Sequence, residues 1–493
     1  MFLHDLARPH SVAEGRRAVS SPAPPRVRGA QGEKQKQTEG GDIVFSGKLH
    51  GIHAPHRKNT VDRVPVRLPV PPVITVPMSM NIGAPAKPVV KPGDEVKVGQ
   101  MIAEAGGFMS APIYSGVSGK VKRLDEIVSA NGRFDTVVVI ETDGQQTVWE
   151  GVKPPVVTDK DSFVEAVRQC GCVGLGGAGF PTSVKLNVDP DRVHAIIING
   201  AECEPYITSD TRTMIDNADD VIYGAQLLQK YYTADRIVIG IEDNKPQCVK
   251  IMEEAGKGVP GFEVAALPAM YPQGGEKVLI YNTTGEIVPE GKLPIDVGAI
   301  VINCTTLAVI AKYIKTGMPL VEKVVTVDGS AIKDPQNVIV PVGTPIQNVL
   351  DFAGLKCEPK KVLYGGPMMG TSVPSLEAPV MKNTNAILAF DAKDAEDPVP
   401  SSCIRCGRCV AHCPFNLMPA AIETAYTNKE PETLKVLKVN LCMECGCCSF
   451  SCPARRPLVQ VNKLAKAMLN QYNAEQKAAA EKKAAKEKEK EAV

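Results

Sequence analysis

Between residues 155 and 315, runs of β-branched residues alternate with amphipathic stretches. Ala195-Ile-Ile-Ile-Asn199, Arg236-Ile-Val-Ile-Gly-Ile241 and Ala299-Ile-Val-Ile-Asn303 are apolar at successive positions. A strand with one face in water alternates apolar and polar residues, so these runs predict strands covered on both faces, in an α/β domain. Their polar endings matter, because ligands of open α/β sheets sit beyond the carboxyl ends of the strands. The rhythm differs elsewhere. Residues 42–125 read as short strands punctuated by Pro and Gly. Residues 323–390 turn β-rich again, through Lys323-Val-Val-Thr-Val-Asp-Gly329 and Val338-Ile-Val-Pro-Val-Gly343, with one helix over Pro345–Gly354. Residues 474–493 are almost entirely Ala, Lys and Glu, with high helix propensity but no apolar face, which predicts a solvated helix or disorder. The predicted organisation is a disordered extension over 1–41, a β domain over 42–150, the α/β domain over 151–320, a second β module over 321–393, a cysteine-rich segment over 394–460 and a tail over 461–493.

Composition adds bounds. The chain has 493 residues, 44% of them apolar, and a formal net charge of +1. That length has room for three or four domains, and the balanced charge gives no sign of a nucleic-acid surface. No run of about eighteen uninterrupted apolar residues occurs, so no membrane span is expected. The first residues lack the apolar core of a secretory signal.

Eight of the fifteen cysteines carry the clearest chemistry. One run is Cys403-x2-Cys406-x2-Cys409-x3-Cys413-Pro414, and the other is Cys442-x2-Cys445-x2-Cys448-x3-Cys452-Pro453. The spacing is that of bacterial two-cluster ferredoxins, in which the fourth cysteine of each run ligates the other run's cluster. It predicts one 4Fe–4S cluster on Cys403, Cys406, Cys409 and Cys452, and a second on Cys442, Cys445, Cys448 and Cys413. Zinc is the competing soft-ligand reading, yet structural zinc knuckles have no use for the third evenly spaced cysteine. Cys447 is out of phase with the ligands and reads as a bystander. The other cysteines are scattered through apolar segments, as in a reducing compartment.

A second centre is Gly171-Cys-Val-Gly-Leu-Gly-Gly-Ala-Gly-Phe-Pro-Thr-Ser-Val-Lys185. Five glycines in nine residues let the backbone approach a planar ring or a phosphate. The Rossmann spacing is not met, and on glycine count alone a structural turn is an equal reading. Here a resemblance adds to the residues. Gly-Gly-Ala-Gly-Phe-Pro-Thr, ending on Thr182 and followed by Lys185, is similar to the flavin loop of the NADH-oxidising flavoprotein subunit of respiratory complex I. Ile198-Asn-Gly-Ala-Glu-Cys-Glu-Pro205, Gly240-Ile-Glu242 and Val301-Ile-Asn-Cys-Thr-Thr-Leu307 resemble further segments of that family, in the same order. The chain departs from it at Val173 and Leu175, where that loop has arginines, and at Ala201, where it has Asp.

The segment Ala84–Ala103 followed by Ala111–Val121 resembles the two halves of a biotinyl/lipoyl-like barrel-sandwich repeat. No lysine stands in the connection Gly106-Gly-Phe-Met-Ser110, which favours a bracing barrel over a swinging-arm carrier. The module at 321–393 looks like a β-grasp of the SLBB kind. With Phe45-Ser-Gly-Lys-Leu-His50 through His56, Tyr271-Pro-Gln-Gly-Gly-Glu-Lys277 and the two cysteine runs, this domain order resembles the RnfC family, named for its place in the Rnf complex, an ion-translocating ferredoxin:NAD+ oxidoreductase.

The resemblance implies FMN lined by Gly174, Gly176, Gly177, Ala178 and Gly179, with Lys185 and Asn199 at its polar edges and Asn303 at the ribityl-phosphate. It implies a ring-stacking role for Phe180, against which a core role stands as the alternative. Glu202, Glu204 and Glu242 are the acids it places near the nicotinamide or the flavin ring; capping or salt-bridge roles are their alternative. The implied catalytic acids are Glu204 and Glu242. The implied protein is a peripheral subunit on the cytoplasmic side of the cell membrane, binding NAD(H), partnered by other subunits and indirectly by ferredoxin, and coupled to Na+ or H+ translocation. A soluble cobalamin-type reductase and a non-catalytic electron-wire subunit are the competing readings. His50, His53 and His56 are flanked by Gly and Pro, which predicts a contact loop and not a helical metal site.

Overall fold

The architecture follows from where the apolar runs can be covered. In the computed structural model, residues 50–130 and 132–491 are described, with side chains through Lys482; the expectation for residues 1–41 lies outside them. The three β-branched runs and Phe262–Leu267 form one parallel sheet. Its order is Phe262–Leu267, Arg236–Glu242, Ala195–Asn199, Ala299–Asn303. Ile196, Ile198, Ile237, Ile239, Ile300 and Ile302 point into one core with the helices Ala218–Tyr231 and Cys304–Thr316. Ile197, Val238 and Val301 point into the opposite core with Leu279 and Ile280 of the helix Glu276–Thr284. Both faces are therefore dry, and each buried isoleucine contributes about 1.5–3 kcal/mol. Register sets the site: Asn199 pairs with Asn303 on one side and Gly240 on the other, so the polar endings line one edge.

Two β regions flank this sheet. Val73–Pro77, Phe134–Thr142, Gly119–Val128 and Glu95–Val96 make a four-stranded sheet, and Lys87–Pro88, Met101–Glu104 and Ile113–Tyr114 a three-stranded one. They close on a shared core of Ile74, Val76, Ile102, Ile113 and Ile140. The other is six-stranded and mixed, in the order Val66–Arg67, Gln336–Pro341, Glu322–Asp328, Ala386–Phe390, Lys361–Tyr364, Thr371–Ser372. Its helix Ile346–Ala353 buries Ile346, Val349 and Leu350 against it. The edge strand Val66–Arg67 comes from ahead of the first β region in sequence, a crossing that local pattern does not reveal.

Short helices build the cysteine-rich segment: Arg408–Ala411, Pro419–Thr427, Pro431–Val436 and Cys447–Phe450. A long helix, Leu458–Glu491, follows. Its first turns are packed, not solvated: Leu458, Val459, Asn462, Ala465 and Leu469 are buried. The start of the expected tail thus covers the cysteine segment. Beyond it the side chains are exposed from Ala474 through Lys482. Among the described residues no helix is long and apolar enough to cross a membrane.

Candidate functional site

The two cysteine runs fold into the same backbone shape. Arg405 and Glu444 both take left-handed φ, 55° and 62°, between the first two cysteines of their runs. Gly407 and Gly446 follow at 75° and 81°, a conformation open to glycine without strain. These reversals turn three thiols toward one point. One cavity is lined by Cys442, Cys445 and Cys448 together with Cys413. The other is lined by Cys403, Cys406 and Cys409 together with Cys452. Each cavity thus gathers three cysteines of one run and the fourth of the other.

The donor sets fit 4Fe–4S clusters: four soft thiols apiece, and no carboxylate or imidazole in either lining. Among the described residues no His, Cys, Asp or Glu trio is gathered tightly enough for a single ion. Hydrogen-bond donors already point at two of the sulfurs. Leu417 N–H donates to Cys413 Sγ at 3.3 Å, and Asn462 Nδ2 donates to Cys442 Sγ at 3.5 Å. Burial pushes the Cys448 thiol up to about 12 and raises Cys413 and Cys442, so iron binding there must displace protons.

The surroundings of the two cavities differ. Cys413, Cys445 and Cys448 are buried, whereas Cys403 and Cys406 are exposed. The buried cavity abuts the α/β domain. Tyr271 Oη donates to the Cys445 carbonyl at 2.6 Å, and Tyr271, Cys445 and Cys447 share a small core with Ile52, Cys203, Met368 and Met443. Cys447, although out of phase, lines this cavity. Glu204 lies at the same junction, its carboxylate accepting from Met368 N–H at 3.1 Å and Met369 N–H at 2.7 Å. Burial raises its carboxyl to about 7.

The glycine loop runs along the carboxyl edge of the parallel sheet. Leu175 N–H donates to Thr306 Oγ1 at 3.1 Å, which ties the loop to the N-terminus of the helix Cys304–Thr316. A side chain at Gly176 would come within 2.7 Å of Asn303 Nδ2, while Gly177 faces open space. Gly176, Gly177 and Ala178 are exposed, Gly174 and Phe180 partly buried, and Gly179 buried at φ 69°. Asn303 caps the helix, accepting from Thr306 N–H at 3.1 Å and donating to Asp210 at 2.7 Å. Side-chain-free backbone beside a helix N-terminus fits a phosphate-bearing flavin. Lys185 donates to Glu276 at 2.7 Å and to the Val301 carbonyl at 2.9 Å; Asn199 donates to the Gly274 carbonyl at 2.9 Å.

The other two acids have internal partners. Glu202 accepts from Asp210 N–H and Thr211 Oγ1, both at 2.7 Å, at the start of the helix Ser209–Asp216. Glu242 is paired at 2.5 Å with Lys245, and both are buried. Sequence reasoning missed Lys58, whose Nζ donates to the carbonyls of Glu202, Glu204 and Ile207 and clamps that loop. No local signal marks it, since it lies 144 residues from its first partner. Lys245, three residues beyond Glu242, was legible as a helix-spaced partner. The same N-terminal strap pairs Ile52 with Tyr271 and sets the Gly51 carbonyl 2.7 Å from His412 Nδ1. His56 stands beside Asn244.

Thiol-lined cavities against a glycine-loop α/β domain define a flavin and iron–sulfur redox protein. Residues 167–312 match the family model of the Nuo51 FMN-binding domain, 47–145 that of the RnfC barrel sandwich hybrid domain, and 398–417 that of the 4Fe-4S binding domain. The chain is 42% identical over 379 residues to the RnfC protein of the proton-translocating ferredoxin:NAD+ oxidoreductase complex of Clostridium ljungdahlii, covering 76% of this chain and 82% of that one. It is 43% identical over 378 residues to the Na+-translocating counterpart of Acetobacterium woodii, covering 76% and 85%. Against the RnfC protein of the ion-translocating oxidoreductase complex of Pseudomonas aeruginosa it is 37% identical, covering 78% and 50%. A chain of an NAD+-reducing NiFe hydrogenase aligns at a TM-score of 0.46 and 21% identity, over 62% of this chain and 60% of that one. This chain belongs to the RnfC family of the Rnf-type ion-translocating oxidoreductases.

Proposed function

We propose that the chain is the NAD(H)-binding electron-transfer subunit of a membrane-bound ferredoxin:NAD+ oxidoreductase, held at the cytoplasmic face by other subunits and coupled through them to Na+ or H+ translocation. The observation that carries this reading is the one-sided junction. One thiol cavity touches the α/β domain through Tyr271 and the Glu204 loop, and the other has exposed thiols. That order suits a path from a flavin outward through two clusters, ligated as the cavities are lined.

A bound flavin supplies the exchange between hydride and single electrons, which neither a nicotinamide nor a cluster performs alone. The chain's own groups do the positioning. Gly176 and Gly177 leave room for a ring and chain at the sheet edge, and the first N–H groups of Cys304–Thr316 face the phosphate. Lys185 and Asn199 hold polar edges, with Phe180 beside the loop. Glu204, neutral or charged near pH 7, is the acid best placed to exchange a proton, and Lys58 fixes its loop. Glu202 and Glu242 act through the loop they brace. Ferredoxin is reached indirectly through partner subunits. Nucleic acid is excluded as a partner by the lack of a basic surplus, since phosphate contacts need one.

The internal engagement of Glu202 and Glu242 favours a second reading, an electron-wire subunit without nucleotide chemistry. A soluble cobalamin-type reductase is disfavoured by the barrel-sandwich match at 47–145. Anaerobically reconstituted protein should hold about one FMN and about eight iron atoms, four per cluster. NADH should bleach the flavin absorption, and Lys185→Met or Glu204→Gln should abolish bleaching while cluster EPR signals persist. Absence of bleaching in the wild type, with both clusters intact, would establish the wire.

A further inference from the structure

The exposed cavity has a rim unlike anything else in the segment. Between Pro398 and Ile422, and between Cys445 and Ala474, the chain has no carboxylate side chain. The same stretches carry Arg405, Arg408, Arg455 and Arg456. Arg456 is committed: it makes a bidentate pair with Glu423, at 2.7 and 2.8 Å, and donates to the Ser401 carbonyl. Arg405, Arg408 and Arg455 are exposed and make no ion pair or side-chain hydrogen bond among the described residues. Arg405 lines the cavity itself, beside Ile404, which is 66% exposed.

The internal repeat makes this informative. The residue matching Arg405 in the buried run is Glu444, with the same left-handed backbone, and it is bridged to Lys466 at 2.5 Å. The buried run satisfies its charge within the chain; the exposed run leaves three guanidiniums unsatisfied around two exposed thiols. Guanidinium forks match carboxylates bidentately and stay charged at any physiological pH. A basic rim around an exposed apolar centre steers and orients an oppositely charged partner.

We propose that the rim formed by Cys403, Ile404, Arg405, Cys406, Arg408 and Arg455 is the docking face for an iron–sulfur electron-carrier protein presenting carboxylates. The proposal rests on the two-cluster reading above. One electron crosses the contact; the donor side is oxidised by one equivalent, the acceptor side reduced by one, and no proton or bond moves.

The test uses the full reconstituted chain, checked first for iron, so that failure to assemble clusters is seen separately. Its probe is a small acidic 2Fe–2S ferredoxin, mixed anaerobically in a stopped-flow instrument, with a basic c-type cytochrome as the opposite-charge control. Transfer with the acidic probe should slow about tenfold between 20 and 500 mM KCl, and about as much in Arg405→Gln/Arg408→Gln at low salt. The exposed cluster's midpoint potential should stay unchanged, and the cytochrome should react faster with the variant than with the wild type. Equal rates for variant and wild type would overturn the proposal. So would a slowing accounted for by a shifted potential, since the arginines would then serve the cluster alone. Unchanged transfer with lost binding to phosphatidylglycerol vesicles would reassign the rim to an anionic membrane surface.

Discussion

The two cysteine runs repeat one backbone and differ in everything packed around it. Around Cys442, Cys445 and Cys448 the chain brings Tyr271, Met368 and Asn462 from three distant segments. Around Cys403 and Cys406 it brings almost nothing, and leaves arginines facing outward. Ligand spacing decides that a cluster can bind. Tertiary packing decides which cluster is insulated, which hydrogen bonds reach its sulfurs and which end faces a partner.

The contrast is most easily broken through stability. Tyr271→Ala should cost about 3–5 kcal/mol, from the cavity it opens, and should loosen the buried cluster. Ile404→Ala, on the exposed rim, should cost under about 0.5 kcal/mol. Denaturant melts of the two variants measure the difference, and equal losses would erase the distinction between the sites. A smaller effect concerns potential. Asn462→Leu removes the amide donor to Cys442 and should lower the buried cluster's potential by about 20–60 mV, the equivalent of one hydrogen bond of about 0.5–1.5 kcal/mol. The exposed cluster should not move, as read by EPR-monitored redox titration. A shift in both would mean that Asn462 acts through the fold and not through the sulfur.

The smallest effect is a pH dependence at the junction. Burial raises the Glu204 carboxyl to about 7, and negative charge on the neighbouring thiolates pushes the same way. A carboxyl with a raised folded pKa binds its proton more tightly in the folded chain. Its contribution is therefore fully present below the ordinary carboxylate range and is lost as pH rises through about 7. Stability should fall with that profile between pH 5 and 8, and Glu204→Gln should flatten it. An unaltered slope in the variant would assign the titration to another group.

Much of this was legible in the sequence, and for physical reasons. Ligand spacing is local, so eight cysteines could be sorted into two crossed sets from the chain alone. The β-branched runs could be read as a buried parallel sheet because both faces of each strand are apolar. The acids were harder. A motif places Glu202, Glu204 and Glu242 in one neighbourhood but says nothing of which way each side chain turns. In the fold Glu202 starts a helix, Glu242 meets Lys245, and Glu204 alone reaches the cluster junction. Lys58 was invisible because its three carbonyl partners lie far along the chain. The packed start of the last helix was hidden by the Ala, Lys and Glu that dominate its end, although Leu458, Val459, Ala465 and Leu469 bury one side.

The central claim is the crossed assembly of the two cavities. Iron analysis and EPR on Cys413→Ser and Cys452→Ser, each reconstituted anaerobically, test it most directly. The account predicts that Cys413→Ser perturbs or removes the buried cluster of Cys442, Cys445 and Cys448 and spares the other. Cys452→Ser should do the reverse, with signals of the Cys403 cluster lost. If each substitution instead removed the cluster of its own run, the crossed ligation and the path drawn through it would be contradicted.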